Sequence, residues 1–521
     1  MNILKKIQFD KYPKIVYNKN RKGGENMKEK ILSLFRTALE KFRKIRKTDS
    51  VQNQKKFKIL HNSLTGCQIS AFEKSITVPN GIQSIGGAAF YNCRNVEQII
   101  LPDGVKTIGS SAFAGCRSLK SVVLPESVSW IGESAFMDCE QLTDIHLPEN
   151  LKIISKHMFK GCRSLKSIRI PEHSQMKDGA FEDCTGLETV SMPTSGDIPS
   201  FFFYRCENLK NIEIPSVSGR IGTEAFRDCK NLKNIVLPSR IQMISENAFK
   251  GSGLTGIQIP ENMLFVGAGA FSDCKALQYA VIPSTIQSMG TGVFSRCEKL
   301  ERVRMAEGIE EIFPEMFFDC QNLKGIEIPY GVKKISQKAF MDCITLSVVR
   351  IPKTVMQVSY TAFVMCHQLR SILWGGLHFQ IETLYATGLF SAPFDTVSSI
   401  ASALAPLNQK SEDYLHDEKT AAVYGSLFRQ YLTNPEEKAL SAYILNHLHV
   451  MLCSLIAVRN TVLLQELLTQ NLLFTRENLP ELILYANQEQ AYEIQVMLAE
   501  HQHRHFAPES IAETVRKKFD L

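Results

Sequence analysis

The sequence predicts an α/β repeat: a solenoid on a parallel sheet of about thirteen 22–23-residue coils, followed by an all-α C-terminal module. Three observations predict it. Phenylalanine recurs at 90, 113, 136, 159, 181, 203, 226, 249, 271, 294, 317, 340 and 363, always 22 or 23 residues apart. A cysteine follows three residues after each, from Cys93 to Cys366, with Ser252 the one exception. A Leu or Val three residues further on (one position early, at Leu254, in the Ser252 unit) begins an alternating apolar run that usually ends in Pro, as in Leu119–Pro125 and Leu209–Pro215.

Each part of the unit has a physical reading. Alternation of apolar residues is the period of a strand with one buried face. Pro ends the strand because it has no N–H to give to a ladder. A second short segment follows, as in Val105-Lys106-Thr107-Ile108-Gly109. The next stretch, Ala112-Phe113-Ala114-Gly115-Cys116, reads as a short helical turn that points Phe and Cys inward. One unit cannot bury its apolar side alone, whereas a stack of units can. Thirteen strands at ~4.8 Å make a sheet on the order of 60 Å long.

The chain has 521 residues, 44% hydrophobic and 22% charged, which is ordinary for a globular protein and excludes a collagen or a mostly disordered chain. Fourteen cysteines are too few for a small disulfide scaffold. The net charge of +7 is unevenly placed. Residues 1–60 carry 18 Lys and Arg against 5 acids, and the remainder carries 42 against 48. An acidic body with a basic arm predicts no nucleic-acid partner for the body.

The N-terminal arm, residues 1–58, shows no apolar run of the length a secretory signal needs, so a cytoplasmic location is expected. Lys22-Gly23-Gly24-Glu25-Asn26-Met27 is what a ribosome-binding sequence spells when translated in frame. Two readings of residues 1–26 therefore stand: a genuine N-terminus, or an extension ahead of a start at Met27. From Met27 to Lys47, Ile31, Leu34, Phe35, Ala38, Leu39, Phe42 and Ile45 form one helical face, with Lys41, Arg43, Lys44, Arg46 and Lys47 clustered at the end. Such a helix packs on a neighbouring domain or makes weak contact with an anionic membrane.

The period Ile-x-x-Ile-Gly-x-x-Ala-Phe-x-x-Cys-x-x-Leu-x-x-Ile-x-Ile-Pro, for example Ile221-Gly222-Thr223-Glu224-Ala225-Phe226 through Pro238, resembles the leucine-rich repeat family, and within it the BspA-like class. The resemblance spans about 60% of the chain, residues 59–378 being assigned to the leucine-rich repeat solenoid. It implies a curved solenoid. It also implies a binding or surface-interaction role rather than catalysis, without specifying a ligand. Many relatives are exported, which makes a cell-surface or secreted adhesion protein the alternative to an internal scaffold. A peripheral membrane protein held by the basic helix is a third reading.

Twelve cysteines occupy the repeat position, apart from Cys67 and Cys453. A ladder of parallel thiols does not converge tetrahedrally on a metal, and parallel Cβ vectors strain a disulfide. Buried free thiols are expected, as Ser252 in the same slot suggests. His501, His503 and His505 form a His-x-His-x-His tract with two readings, a metal-holding tract or, preferred, a solvated helix end. There is no GxSxG, HExxH or P-loop motif, so no catalytic, cofactor or metal residues are assigned and a non-enzymatic protein is expected.

Side chains facing out of the sheet form the natural binding surface of a solenoid. The candidate protein-binding residues are His146, Arg169, Glu213, Tyr279, Arg302, Arg304, Glu327 and Arg350. The last five fall in neighbouring coils, and Arg and Tyr are favoured at interface hot spots.

After Trp374 the period stops. Residues 379–411 read as a transition and 412–521 as helical. Asn434-Pro435-Glu436-Glu437 has the form of a helix start, with Leu440, Ile444, Leu448 and Leu452 at helical spacing behind it. The run Ala439–Val458 lacks charged side chains, but Asn446, His447 and His449 argue against a membrane span. Asn460–Gln470 and Leu479–Gln502 give further amphipathic helix. Ala486 to Leu498 resembles an ankyrin-type helix pair, which implies a second interaction module or a cap for the solenoid.

Overall fold

The computed structural model describes residues 56–70, 72–385, 387–390, 393–405 and 415–506. The basic helix read at Met27–Lys47 lies outside them. The chain divides into two compact units, Met1–Lys58 and Ile59–Leu521. The repeats and the C-terminal helices all belong to the second.

Residues 63–374 form a parallel solenoid of about fourteen coils. The extra coil opens at Ser63–Cys67, ahead of the first repeat Phe. The coils build two ladders. One is built from the Ile-Gly segments, such as Arg220–Ile221 paired with Met243–Ile244 and then Phe265–Val266. The other is built from the strands before Pro, such as Gly256–Gln258, Tyr279–Ile282 and Arg302–Met305. Glycine after the first segment is needed because coils stack backbone on backbone. A Cβ on Gly222 would stand 2.5 Å from the Ser200 nitrogen of the previous coil.

The thirteen repeat phenylalanines form one unbroken column. Neighbouring rings lie 5.1–5.8 Å apart between centroids, with planes tilted by no more than 25°. Beside them the leucines from Leu119 to Leu346 are fully buried. The turn that carries Phe is not helical. Two positions in it, two residues before and two after Phe, take left-handed backbone, for example Glu224 (φ 54°) and Asp228 (φ 58°) around Phe226. Its amides alternate: the Phe226 N–H donates to Ala248 O of the next coil at 2.7 Å, while the Ala225 and Arg227 N–H groups donate three residues back within the turn. Stacking against identical neighbours offers a partner for these amides that an isolated helical turn would have to find within itself.

On the outer edge, charges from successive coils interleave. Glu97 lies between Lys74 (3.2 Å) and Lys120 (2.7 Å), and Glu188 between Lys166 (3.7 Å) and Lys210 (2.6 Å). These pairs are exposed and screened by solvent, so they favour correct register more than stability.

Seven helices follow among the described residues: α1 (Ile381–Tyr385), α2 (Pro393–Leu404), α3 (Glu418–Thr433), α4 (Lys438–Ala457), α5 (Thr461–Gln470), α6 (Asn478–Gln488) and α7 (Tyr492–His505). The last solenoid strand, Ser371–Trp374, turns through Gly375-Gly376 into an antiparallel strand, Leu377–Gln380. Helix α2 then packs on the Gln357–Val358 coil. Ala439 of α4 sits against Gly376, whose Cβ, if present, would stand 3.1 Å from that of Ala439. The helical region therefore covers the C-terminal end of the repeat core.

The helix start read at Asn434-Pro435-Glu436-Glu437 falls early. Asn434 terminates α3, its N–H donating to Gln430 O, and α4 begins at Lys438. Among the described residues α4 is the one helix long and apolar enough to cross a membrane; here it packs between α3 and α6, with Leu440, Ile444 and Met451–Ile456 buried. The stretch Leu479–Gln502 is two helices, broken where Gln490 takes left-handed backbone (φ 56°).

His501 departs from the expected solvated tract. It is buried on α7, and its Nε2 lies 2.9 Å from the Asn471 carboxamide oxygen, while His503 and His505 remain exposed. Burial, followed by the neighbouring His505 and Arg504, holds its pKa below the ordinary imidazole value of 6.5. A base with a depressed folded pKa binds fewer protons folded than unfolded, so its contribution is complete above about pH 6.5 and is lost as pH falls below it. Thermal unfolding should therefore show a midpoint that drops between about pH 7 and 5, with the drop reduced in His501→Gln. An equal drop in that variant would exclude His501 as a source.

Candidate functional site

The strand ladder that faces outward is continuous from Gly256–Gln258 to Arg302–Met305 and again from Gly325–Glu327 to Ser371–Trp374. Between Arg302–Met305 and Gly325–Glu327 no ladder pairing forms, although the two strands are neighbours. The sheet has a seam there, and two grooves open on it.

The first, of about 250 Å³, is lined by Glu301, Arg302, Val303, Gly325, Ile326, Glu327, Val348 and Arg350. Gly325 occupies the row position of Gly256, Tyr279, Arg302 and Val348 in the other coils; like Gly256 it adds no side chain, and the position lies in the groove lining. The second, of about 570 Å³, runs from Arg304, Met305 and Glu307 past Pro329, Tyr330 and Pro352 to Leu373, Gly375 and Gly376. It ends where α4 meets the solenoid. A volume of this order suits a few residues of a bound peptide or a projecting side-chain cluster.

Register places five of the eight candidate residues together. Tyr279 pairs with Arg302, and Glu327 with Arg350; Arg304 lies one row along from Arg302. Tyr279 is 45% exposed, its ring lying across Gly256 of the preceding coil. Among the described residues Arg302, Arg304 and Arg350 have no ion-pair partner, although interleaved pairs are common on the other edge. The groove carries both signs, since Glu301, Glu307 and Glu327 share its lining. The other three candidates lie on distant coils. His146 is 3.6 Å from Glu126, Arg169 is 2.8 Å from Glu149, and Glu213 is exposed. Tyr330, Gly325 and the Gly375-Gly376 turn belong to the grooves, yet the two-residue strand period does not single them out. A Gly at an outward strand position, as at Gly325, is the signal that marks an opening.

Behind this face the repeat cysteines are hydrogen-bond donors. Each thiol from Cys116 onward gives its S–H to the carbonyl of the preceding coil's Phe, as Cys229 does to Phe203 at 3.2 Å. All fourteen cysteines are free thiols. Burial pushes the Cys274 and Cys366 thiols up to about 12, so they stay protonated and unreactive.

These features define a parallel repeat solenoid with a grooved strand face and a helical end. The BspA type leucine rich repeat model matches residues 58–188, 171–278, 194–324 and 243–370. The chain belongs to that family. Among solved structures it is similar to a leucine-rich repeat protein from Bacteroides ovatus, with 28% identity, covering 61% of this chain and 91% of that one, at a TM-score of 0.54. A leucine rich cell surface protein from Faecalibacterium prausnitzii is also 28% identical over 62% of this chain and 93% of its own, at a TM-score of 0.43. No curated protein matches significantly.

Proposed function

We propose that the chain is a non-enzymatic scaffold that captures a protein partner in the grooves at the seam of the strand face. The observation that carries this reading is the cluster of three guanidinium groups, Arg302, Arg304 and Arg350, without ion-pair partners among the described residues and beside a slot opened by Gly325. Arginine and tyrosine anchors over a concavity are the usual composition of an interface hot spot. A partner surface with both acidic and basic groups fits the mixed lining. The ankyrin-like helix pair at the C-terminus is proposed to add contacts at the far end of the second groove. A cytoplasmic setting suits a core whose thiols serve as hydrogen-bond donors.

Replacing Arg302, Arg304 and Arg350 together by Ala tests the reading. Partner recovery by affinity capture from the native cells should fall at least about tenfold, the loss of one or two hot-spot contacts, while the unfolding midpoint stays unchanged. Undiminished recovery would remove the grooves from the proposal. Fractionation of the same cells is expected to find the protein in the soluble fraction; recovery at the surface would make it an adhesion protein.

A further inference from the structure

The strand face changes sign along the solenoid. In each coil this face presents the residues four and two positions before the strand-ending Pro, and the residue after it; Ala306 stands at the Pro position in the Arg302 coil. From Asp103 to Glu172 these positions carry Asp103, Glu126, Asp144, Glu149 and Glu172 against Arg169. From Arg302 to Lys353 they carry Arg302, Arg304, Arg350 and Lys353 against Glu307 and Glu327. Asp103 and Asp144 are exposed and, like the three arginines, have no ion-pair partner among the described residues. Midway between the two stretches lies Val236, 82% exposed at an outward position of a coil that forms no strand there.

Patches of opposite charge placed evenly about one point are self-complementary under a two-fold axis. An axis through Val236, parallel to its chain direction there, turns two such faces toward each other. It reverses the order of the coils and keeps each row over itself. Asp144 lies four coils before Val236, and Gly325 four coils after it. Asp144 of one copy therefore stands over Gly325 of the other, whose row continues into Val348 beside Arg350 and whose groove also holds Arg302. There is room for it, because a Cβ on Gly325 would meet only the Val348 carbonyl oxygen, at 3.5 Å. By the same count His146 falls over Glu327, and Glu126 falls over Lys353, each five coils from Val236. Glu172 over Glu307 and Arg169 over Arg304 are like-charged. Glu172 and Arg169 are already held within their own copy, by Thr194 at 2.8 Å and Glu149 at 2.8 Å. A face ~60 Å long and ~15 Å wide gives on the order of 900 Å² per copy, the size of a standard stable interface.

We propose that the occupant of this face is a second copy of the chain. The two copies dock strand face to strand face in reversed coil order, and Asp144 of each enters the groove of the other beside Arg302 and Arg350. This occupant presupposes that the grooves bind protein, as proposed above, and names the protein. One chain supplies both halves of the charge pattern at matching distances from Val236, so each favourable pair forms twice. The contacts lie among exposed charges, so salt weakens them.

Analytical ultracentrifugation of the purified full chain tests this. The expected species is a dimer at micromolar concentration, with a dissociation constant that rises at least about tenfold between about 0.1 M and 0.5 M salt. Two charge-reversed variants test the arrangement. One carries Arg302→Glu, Arg350→Glu and Lys353→Glu; the other carries Glu126→Lys and Asp144→Lys. Each alone should be monomeric with an unchanged thermal midpoint, because like charges then meet across the axis. Their equimolar mixture should recover a dimer with one copy of each, which a misfolded variant would not do. A wild-type chain that stays monomeric overturns the proposal, as does a dimer that survives both reversals or a mixture that stays monomeric. A monomer that still captures another protein through Arg302, Arg304 and Arg350 would overturn the homodimer and leave the grooves as a binding site. A dimer unaffected by those arginines would remove both.

Discussion

Phe226→Ala should cost about 4 kcal/mol of stability, within the range found when a fully buried Phe is truncated. Phe226 is completely buried and stacks on Phe203 at 5.5 Å and on Phe249 at 5.2 Å, the latter pair almost parallel in orientation. The loss has two parts: a ring-sized cavity, and two aromatic contacts each contributing roughly 0.5–1.5 kcal/mol beyond their area. In a solenoid each coil is held only by its neighbours, so a weakened coil uncouples the parts on either side. Chemical denaturation should therefore show a lower midpoint and a shallower or divided transition. Phe265→Ala is the control. That ring is 40% exposed on the outer side of its strand, and its loss should stay within about 0.5 kcal/mol, as for ordinary surface changes. Similar losses for both variants would mean that the phenylalanine column is not what holds the coils together.

Removing residues 381–521 should leave a solenoid that does not stay monomeric. The truncation strips α1–α7 from a core end that includes Phe363, Leu369, Ile372, Trp374 and Phe379, all buried in the intact chain. An uncovered repeat end presents both apolar side chains and unpaired strand groups, which is the template for edge-to-edge association. Light scattering after size-exclusion chromatography should find oligomers or insoluble protein. The thermal midpoint of any soluble fraction should fall by about 5 °C, what the loss of a few kcal/mol produces in a domain this size. A monomer with an unchanged midpoint would show that the helical region is an independent appendage. The packing of α2 on Gln357–Val358, and of Ala439 on Gly376, argues for the first outcome.

Much of this architecture was legible in the chain itself. A period of 22–23 residues repeated thirteen times leaves one solution, because only stacking buries an apolar face too small to form a core alone. The Phe, Cys and Leu of every coil could be placed inside on that ground, and the outward strand residues by the two-residue period. The boundary with the helical region was equally visible, since the repeat stops at Trp374. Within that region a short loop is ambiguous: Asn434 suits the start of one helix and the end of another, and only the neighbouring helix decides which it does.

The tertiary structure alone decided what depends on atoms one coil apart. The left-handed turns around each Phe follow from hydrogen bonds between coils, and no local propensity announces them. The lapse in strand pairing beside Gly325, which opens the grooves, depends on how adjacent coils settle against each other. His501 is buried because α7 packs back on the turn at Asn471, a contact between residues 30 positions apart. Periodicity specifies which residues share a face; distance between faces is set only when the stack closes.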